Sequence, residues 1–111
     1  MKKVIISLKE RHIEQGVKGD CSHCPWALAL SEALMDDPDN IRYVMVNCHL
    51  MKILWKENVW LRAATPPSVS RSIREYDRGF EIETMTVEVN FTDWNTDQGL
   101  EDVLVRTEQK M

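Results

Sequence analysis

The sequence predicts a single α+β domain, a small antiparallel sheet with two main helices packed on one face. Three observations carry that expectation. Runs of β-branched and aromatic residues alternate with two stretches of helical period; the middle strands follow one another as hairpins do; and 111 residues suit one hydrophobic core. Apolar residues make up 43% and charged residues 29%, which excludes wholesale disorder. No run approaches the roughly 18 apolar residues that a membrane span requires.

Val4 to Leu8 is β-branched and apolar and reads as the first strand. The same stretch follows Lys2 and Lys3, as a signal peptide would begin. Ser7 and the charges Lys9, Glu10 and Arg11 cut it short, so a cytosolic start is expected. A short helical turn over Lys9 to Gln15, capped by Ser7 or the residues after it, should end at Gly16. Gly16 to Asp20 should then form a loop whose two glycines supply positive φ.

Pro25 suits the first turn of a helix, where its missing N–H costs nothing. Trp26 to Met35 continues with Ala27, Leu30 and Leu34 at i, i+3, i+7, widened by Ala29 and Ala33, so a largely buried helix is predicted. Pro38 and its neighbours end it. Ile41 to Asn47 reads as a strand, and Leu50 to Trp55 with Val59 to Ala63 as a hairpin. A second helix opens with Thr65 as N-cap and Pro66 at N1, carries Val69, Ile73 and Tyr76 inward, and stops at Gly79.

Phe80 to Phe91 reads as the last strand. Met85, Val87, Val89 and Phe91 alternate with polar residues, but Phe80 and Ile82 have the wrong parity, which predicts a bulge or break near Glu83-Thr84. Leu100, Val103 and Leu104 fit one helical face or an edge strand equally. The expected division is a domain over 1–91 and an acidic C-terminal extension over 92–111, packed on it or trailing from it.

Charge divides unevenly. From Phe80 onward the acids Glu81, Glu83, Glu88, Asp93, Asp97, Glu101, Asp102 and Glu108 face only Arg106 and Lys110, a net −6 within a chain of net −4. That disfavours nucleic acid, whose phosphates need clustered Lys and Arg, and suits a partner protein with a basic surface; a homodimer is the other partner considered. Trp94, flanked by Asp93 and Asn95, is the tryptophan expected at the surface, and Trp94, Asp93, Asp97 and Glu88 are the candidate binding residues.

Cys21-Ser22-His23-Cys24-Pro25 is the one motif with chemical potential. Its C-x-x-C spacing fits half a zinc site, with Cys48 and His49, or His12 and His23, as the remaining ligands. The same pair at a helix N-terminus fits a redox dithiol, because the helix dipole favours a thiolate. The third reading is that the cysteines pack the first turn of a buried helix, with no cofactor. Three cysteines, an odd number, fit a reducing compartment better than a disulfide framework. No Ser/His/Asp ordering, phosphate-binding glycine loop or dinucleotide fingerprint is present in the sequence.

His12-Ile13-x-x-Gly16-x-x-Gly19-Asp20-Cys21-x-x-Cys24-Pro25-x-Ala27-Leu28-Ala29 resembles an uncharacterised family of small proteins encoded by bacteriophages and bacteria. Pro66-Pro67 leading to Tyr76-Asp77, and the alternating strand Met85 to Phe91, match the rest of that pattern over about residues 4–91. Trp26 departs from it, since a small aliphatic residue usually follows Cys-Pro. The resemblance implies a compact α+β fold and a phage-like origin, with no activity to transfer. The expected function is therefore that of a small accessory protein, not an enzyme, acting in the host cytoplasm by binding a host protein and inhibiting a host enzyme or defence system. A structural zinc or a redox-active dithiol at Cys21 and Cys24 is the alternative.

Overall fold

The computed structural model describes residues 2–35, 40–55 and 59–93. Along the chain come β1 (Lys2–Leu8), α1 (Glu10–Gln15), α2 (Pro25–Ala33), β2 (Ile41–Val46), β3 (Leu50–Trp55), β4 (Val59–Ala64), α3 (Pro67–Asp77) and β5 (Met85–Asp93). The strands form one five-stranded antiparallel sheet in the order β1-β5-β4-β3-β2. This is the α+β class that the residue pattern predicts.

Register explains which side is buried. Val4 lies opposite Val89 and Ile6 opposite Val87, while Val46 meets Met51 and Ile53 meets Leu61. Six of the eight belong to one buried apolar cluster, and Val87 and Leu61 pack against it partly buried. Because side chains alternate across a strand, the intervening residues Ile5, Ser7, Thr86, Glu88, Lys52 and Arg62 fall on the other face. Each fully buried Ile or Met contributes about 1.5–3 kcal/mol relative to exposure.

The helices cover the apolar face. α2 packs against β1 and also against β2, the two edges of the sheet, so the sheet curls around it. Ala27 and Ala29 let this helix approach closely, and both are buried. α3 turns Val69, Ile73 and Tyr76 inward, the stripe its spacing predicts. Trp26, only 1% exposed, donates its indole N–H to Ser72 Oγ at 2.9 Å and so ties α2 to α3 inside the core. Trp26 is thus a core residue with its polar atom satisfied.

Several expected boundaries shift, each for a visible reason. Thr65 is not the N-cap of α3. Its hydroxyl donates to the Asn47 carbonyl at 2.8 Å, which moves the cap to Pro66 and N1 to Pro67. Phe80 does not begin the last strand. Its N–H donates to Glu75 O while that of Gly79 donates to Tyr76 O, a Schellman closure with Gly79 at φ 87°. Strand pairing therefore starts only at Met85, opposite Leu8, and the parity break is a boundary rather than a bulge. α2 ends at Ala33 because Leu34 leaves helical geometry. Thr92 and Asp93, assigned to the extension by sequence, pair with Arg62 and Leu61 and belong to the sheet. Residues 94–111 lie outside the described residues, and with them the undecided element around Leu100.

Candidate functional site

The motif residues meet in one place. His12 is buried, and its Nδ1 accepts the N–H of Lys9 at 2.9 Å, closing the first turn of α1. Accepting there puts the proton of the neutral ring on Nε2, which lies 3.4 Å from Glu32 Oε2 but makes no hydrogen bond. Arg11 also pairs with Glu32, and that contact above all lowers the Glu32 carboxyl's pKa. Gly16 is required by space, not by φ. At φ −68° any residue could adopt its backbone, but a Cβ there would lie 2.5 Å from Pro25 Cδ. Gly19 does take positive φ, at 75°.

The last turn of α3 clasps this loop. Tyr76 donates its hydroxyl to Gly16 O at 2.8 Å, and Asp77 Oδ1 accepts the Gly19 N–H at 3.1 Å. The two separated halves of the family-like pattern, the glycine-cysteine opening and the Tyr-Asp helix end, are therefore in direct contact. Their residue types are explained by holding α3 on the α1–α2 connection. Asp20 completes the turn by accepting from Ser22 N–H and pairing with His23 Nδ1, each at 3.0 Å. The backbone bond from Ser22 is the chief cause of its lowered pKa.

The two cysteines part company. Cys24 is 4% exposed and caps α2, its sulfur accepting the Ala27 N–H at 3.4 Å. Burial raises its thiol pKa, with the N-terminal amides opposing more weakly. The dipole argument for an activated thiolate at this position is thus outweighed by desolvation. Cys21 is exposed, contrary to the expectation that both sulfurs pack the helix. It sits in the turn upstream of the cap, where its carbonyl accepts the Val46 N–H at 2.9 Å and anchors the loop to β2. Cys48, half-buried, follows β2 in a tight turn whose Asn47 side chain accepts two backbone N–H groups.

Cys21, Cys24 and Cys48 line one cleft of about 240 Å³ with Asp20 and Asp77. Among the described residues, no group of three or more His, Cys, Asp or Glu side chains is placed to hold a metal ion. His12 and His23 are committed to the α1 cap and the Asp20 turn. The cleft brings the sulfurs near one another without assembling the ligand set that the spacing allowed.

Of the candidate binding residues, Glu88 is exposed on the uncovered face of the sheet, 3.0 Å from Lys3 Nζ. Asp93 ends β5 opposite Leu61. Trp94 and Asp97 lie outside the described residues. The uncovered face also carries Ile5, 60% exposed, and the edge-to-face pair Tyr43–Trp60. No helix among the described residues is long and apolar enough to cross a membrane.

A larger concavity was not anticipated. A groove of about 660 Å³ runs between α3 and the stretch from Glu81 to Met85, lined by Pro67, Arg71, Arg74, Glu75, Glu81 and Glu83 among others. Among the described residues, these five charged side chains form no ion pair. The parity break at Glu83-Thr84 was its one trace in the sequence, because the chain there leaves α3 before it joins the sheet. No family model, curated protein or solved structure matches the chain.

Proposed function

We propose that this is a small accessory protein, of the phage-encoded kind its motifs resemble, that acts in the host cytoplasm by binding a host protein without catalysis. Inhibition of a host enzyme or defence system is the form of action that such binding takes. The observation that carries the reading is the groove beside α3. Charged side chains on a protein surface usually find partners or open solvent; here Glu75, Glu81 and Glu83, with Arg71 and Arg74, surround a concavity sized for another molecule's side chains. Of the motif residues that looked most chemical, His12 and Cys24 are buried within the fold while Cys21 meets solvent, and this supports recognition by the outer surface. The acidic bias of the C-terminal third favours a partner with a basic surface.

The test is capture of partners from bacterial lysate by the intact chain and by the Glu81→Lys/Glu83→Lys variant. Both substitutions are at exposed positions, so the fold should persist. A partner retained by the intact chain should be lost from the variant. Equal recovery of the same proteins by both would remove the groove from the account.

A further inference from the structure

The sheet is incomplete beside this groove. β1 pairs with β5 along seven residues, from Lys2 with Phe91 to Leu8 with Met85. On its other side β5 meets β4 only at Thr92 with Arg62 and Asp93 with Leu61. Counting on in that register brings Ala64, the last residue of β4, level with Asn90. Met85 to Val89 therefore run past the end of β4, with a strand neighbour on one side only.

In an antiparallel strand, alternate residues turn their N–H and C=O groups to one neighbour and the remainder to the other. No hydrogen bond among the described residues takes up the groups of Met85 to Val89 that face away from β1. Backbone groups of this kind demand partners, and a row of them in extended geometry is a template for one more strand. The groove lies at the start of this overhang, with Met85 and Ile82 as its apolar lining and Glu81 and Glu83 on the same wall.

We infer that the overhang of β5 is a strand-addition site that takes an extended segment of a partner protein, with apolar and cationic residues in alternation. The added strand continues the line of β4 past Ala64. Its backbone completes the ladder of Met85 to Val89, which supplies affinity, and alternate side chains supply specificity. Those directed at the helical layer meet Met85 and Ile82. Those on the opposite side pass Thr86 and Glu88 of the uncovered face. Glu88 already holds Lys3, so the preference for Lys or Arg comes from Glu81 and Glu83 at the start of the overhang, which form no ion pair among the described residues. Arg71 and Arg74 are exposed on α3, across the groove from these acids. This inference rests on the binding reading above and names the conformation and chemistry of the segment bound.

The experiment uses the full chain and a fluorescent eight-residue peptide of alternating Val and Lys. It is compared with a Val/Glu peptide and with two forms of the Val/Lys peptide, N-methylated along one or the other backbone edge. Anisotropy measures binding, and amide hydrogen exchange locates it. The Val/Lys peptide should bind saturably and protect amides between Met85 and Asn90, and the Val/Glu peptide should bind more weakly. One N-methylated form should lose about tenfold or more in affinity while the other retains it, since an added strand bonds through one edge. Absence of saturation up to about 1 mM, equal binding of all forms, or protection at another strand would overturn the assignment. So would protection of Met85 to Val89 in the free protein that depends on concentration, which assigns the edge to a second copy, or that vanishes on truncation after Asp93, which assigns it to the chain itself. Partner loss by Glu81→Lys/Glu83→Lys without peptide binding would sink strand addition and leave the binding reading; peptide binding without partner loss would do the reverse.

Discussion

At the scale of single residues, position relative to the helix cap separates two cysteines that are three apart in sequence. Cys24 is sealed at the entrance of α2, with its thiol pKa raised by burial. Cys21, in the turn before it, meets solvent. Iodoacetamide should therefore alkylate Cys21 in the native protein well before Cys24, by about tenfold or more in rate, as mass mapping over time would show. Equal rates would mean that the cap is open. A pH dependence follows from the same burial. The unfolded thiol ionises at its ordinary value, near pH 8.5, and the folded one only above it. Stability is thus fully present below about pH 8.5 and declines as pH rises through that value, because the unfolded chain releases its proton first. Urea unfolding between pH 7 and 10 should show this decline, and Cys24→Ala should flatten it. Tyr76, whose pKa burial also raises, adds a loss in the same direction at higher pH.

At the scale of elements, Gly79 and Gly16, held for different reasons, should respond differently to substitution. Gly79→Ala forces a side chain onto φ 87° at the end of α3 and should cost about 1–2 kcal/mol. Gly16→Ala drives a Cβ to 2.7 Å from the Pro25 nitrogen, so the backbone itself must move. It should cost about 3 kcal/mol or more, at the upper end of overpacking. Urea midpoints of the two variants check the order, and a milder effect at Gly16 would contradict the contact with Pro25. Much at this scale was legible beforehand. Ala27, Leu30 and Leu34 are all buried although Leu34 lies just past the end of α2, and the inward Val69, Ile73 and Tyr76 of α3 and the alternation of Met85 to Phe91 stand, because period reports burial directly. What failed was local competition for the same groups. Thr65 was read as a cap because nothing in sequence shows its hydroxyl going to Asn47, 18 positions away. Phe80 was read as strand because its apolar side chain conceals that its N–H closes a helix; it is 61% exposed.

At the scale of the whole molecule, the chain closes a curled sheet around α2 and fastens α3 to the α1–α2 loop through Tyr76 and Asp77. These long-range bonds put the glycines beside the C-x-x-C motif to use in holding the fold together. They were illegible in sequence, because Gly16 and Tyr76 are 60 positions apart and nothing local pairs them. The groove left only the parity break as a trace, since it lies between α3 and the stretch Glu81 to Met85 that leads from that helix into β5. In the proposed reading, function rests on the surface that the scaffold leaves open. The most direct measurement is the yield of one captured partner from parallel baits carrying Cys21→Ser or Glu81→Lys/Glu83→Lys. The account predicts full yield from the cysteine variant and loss from the groove variant; loss with Cys21→Ser and retention with the groove reversed would contradict it.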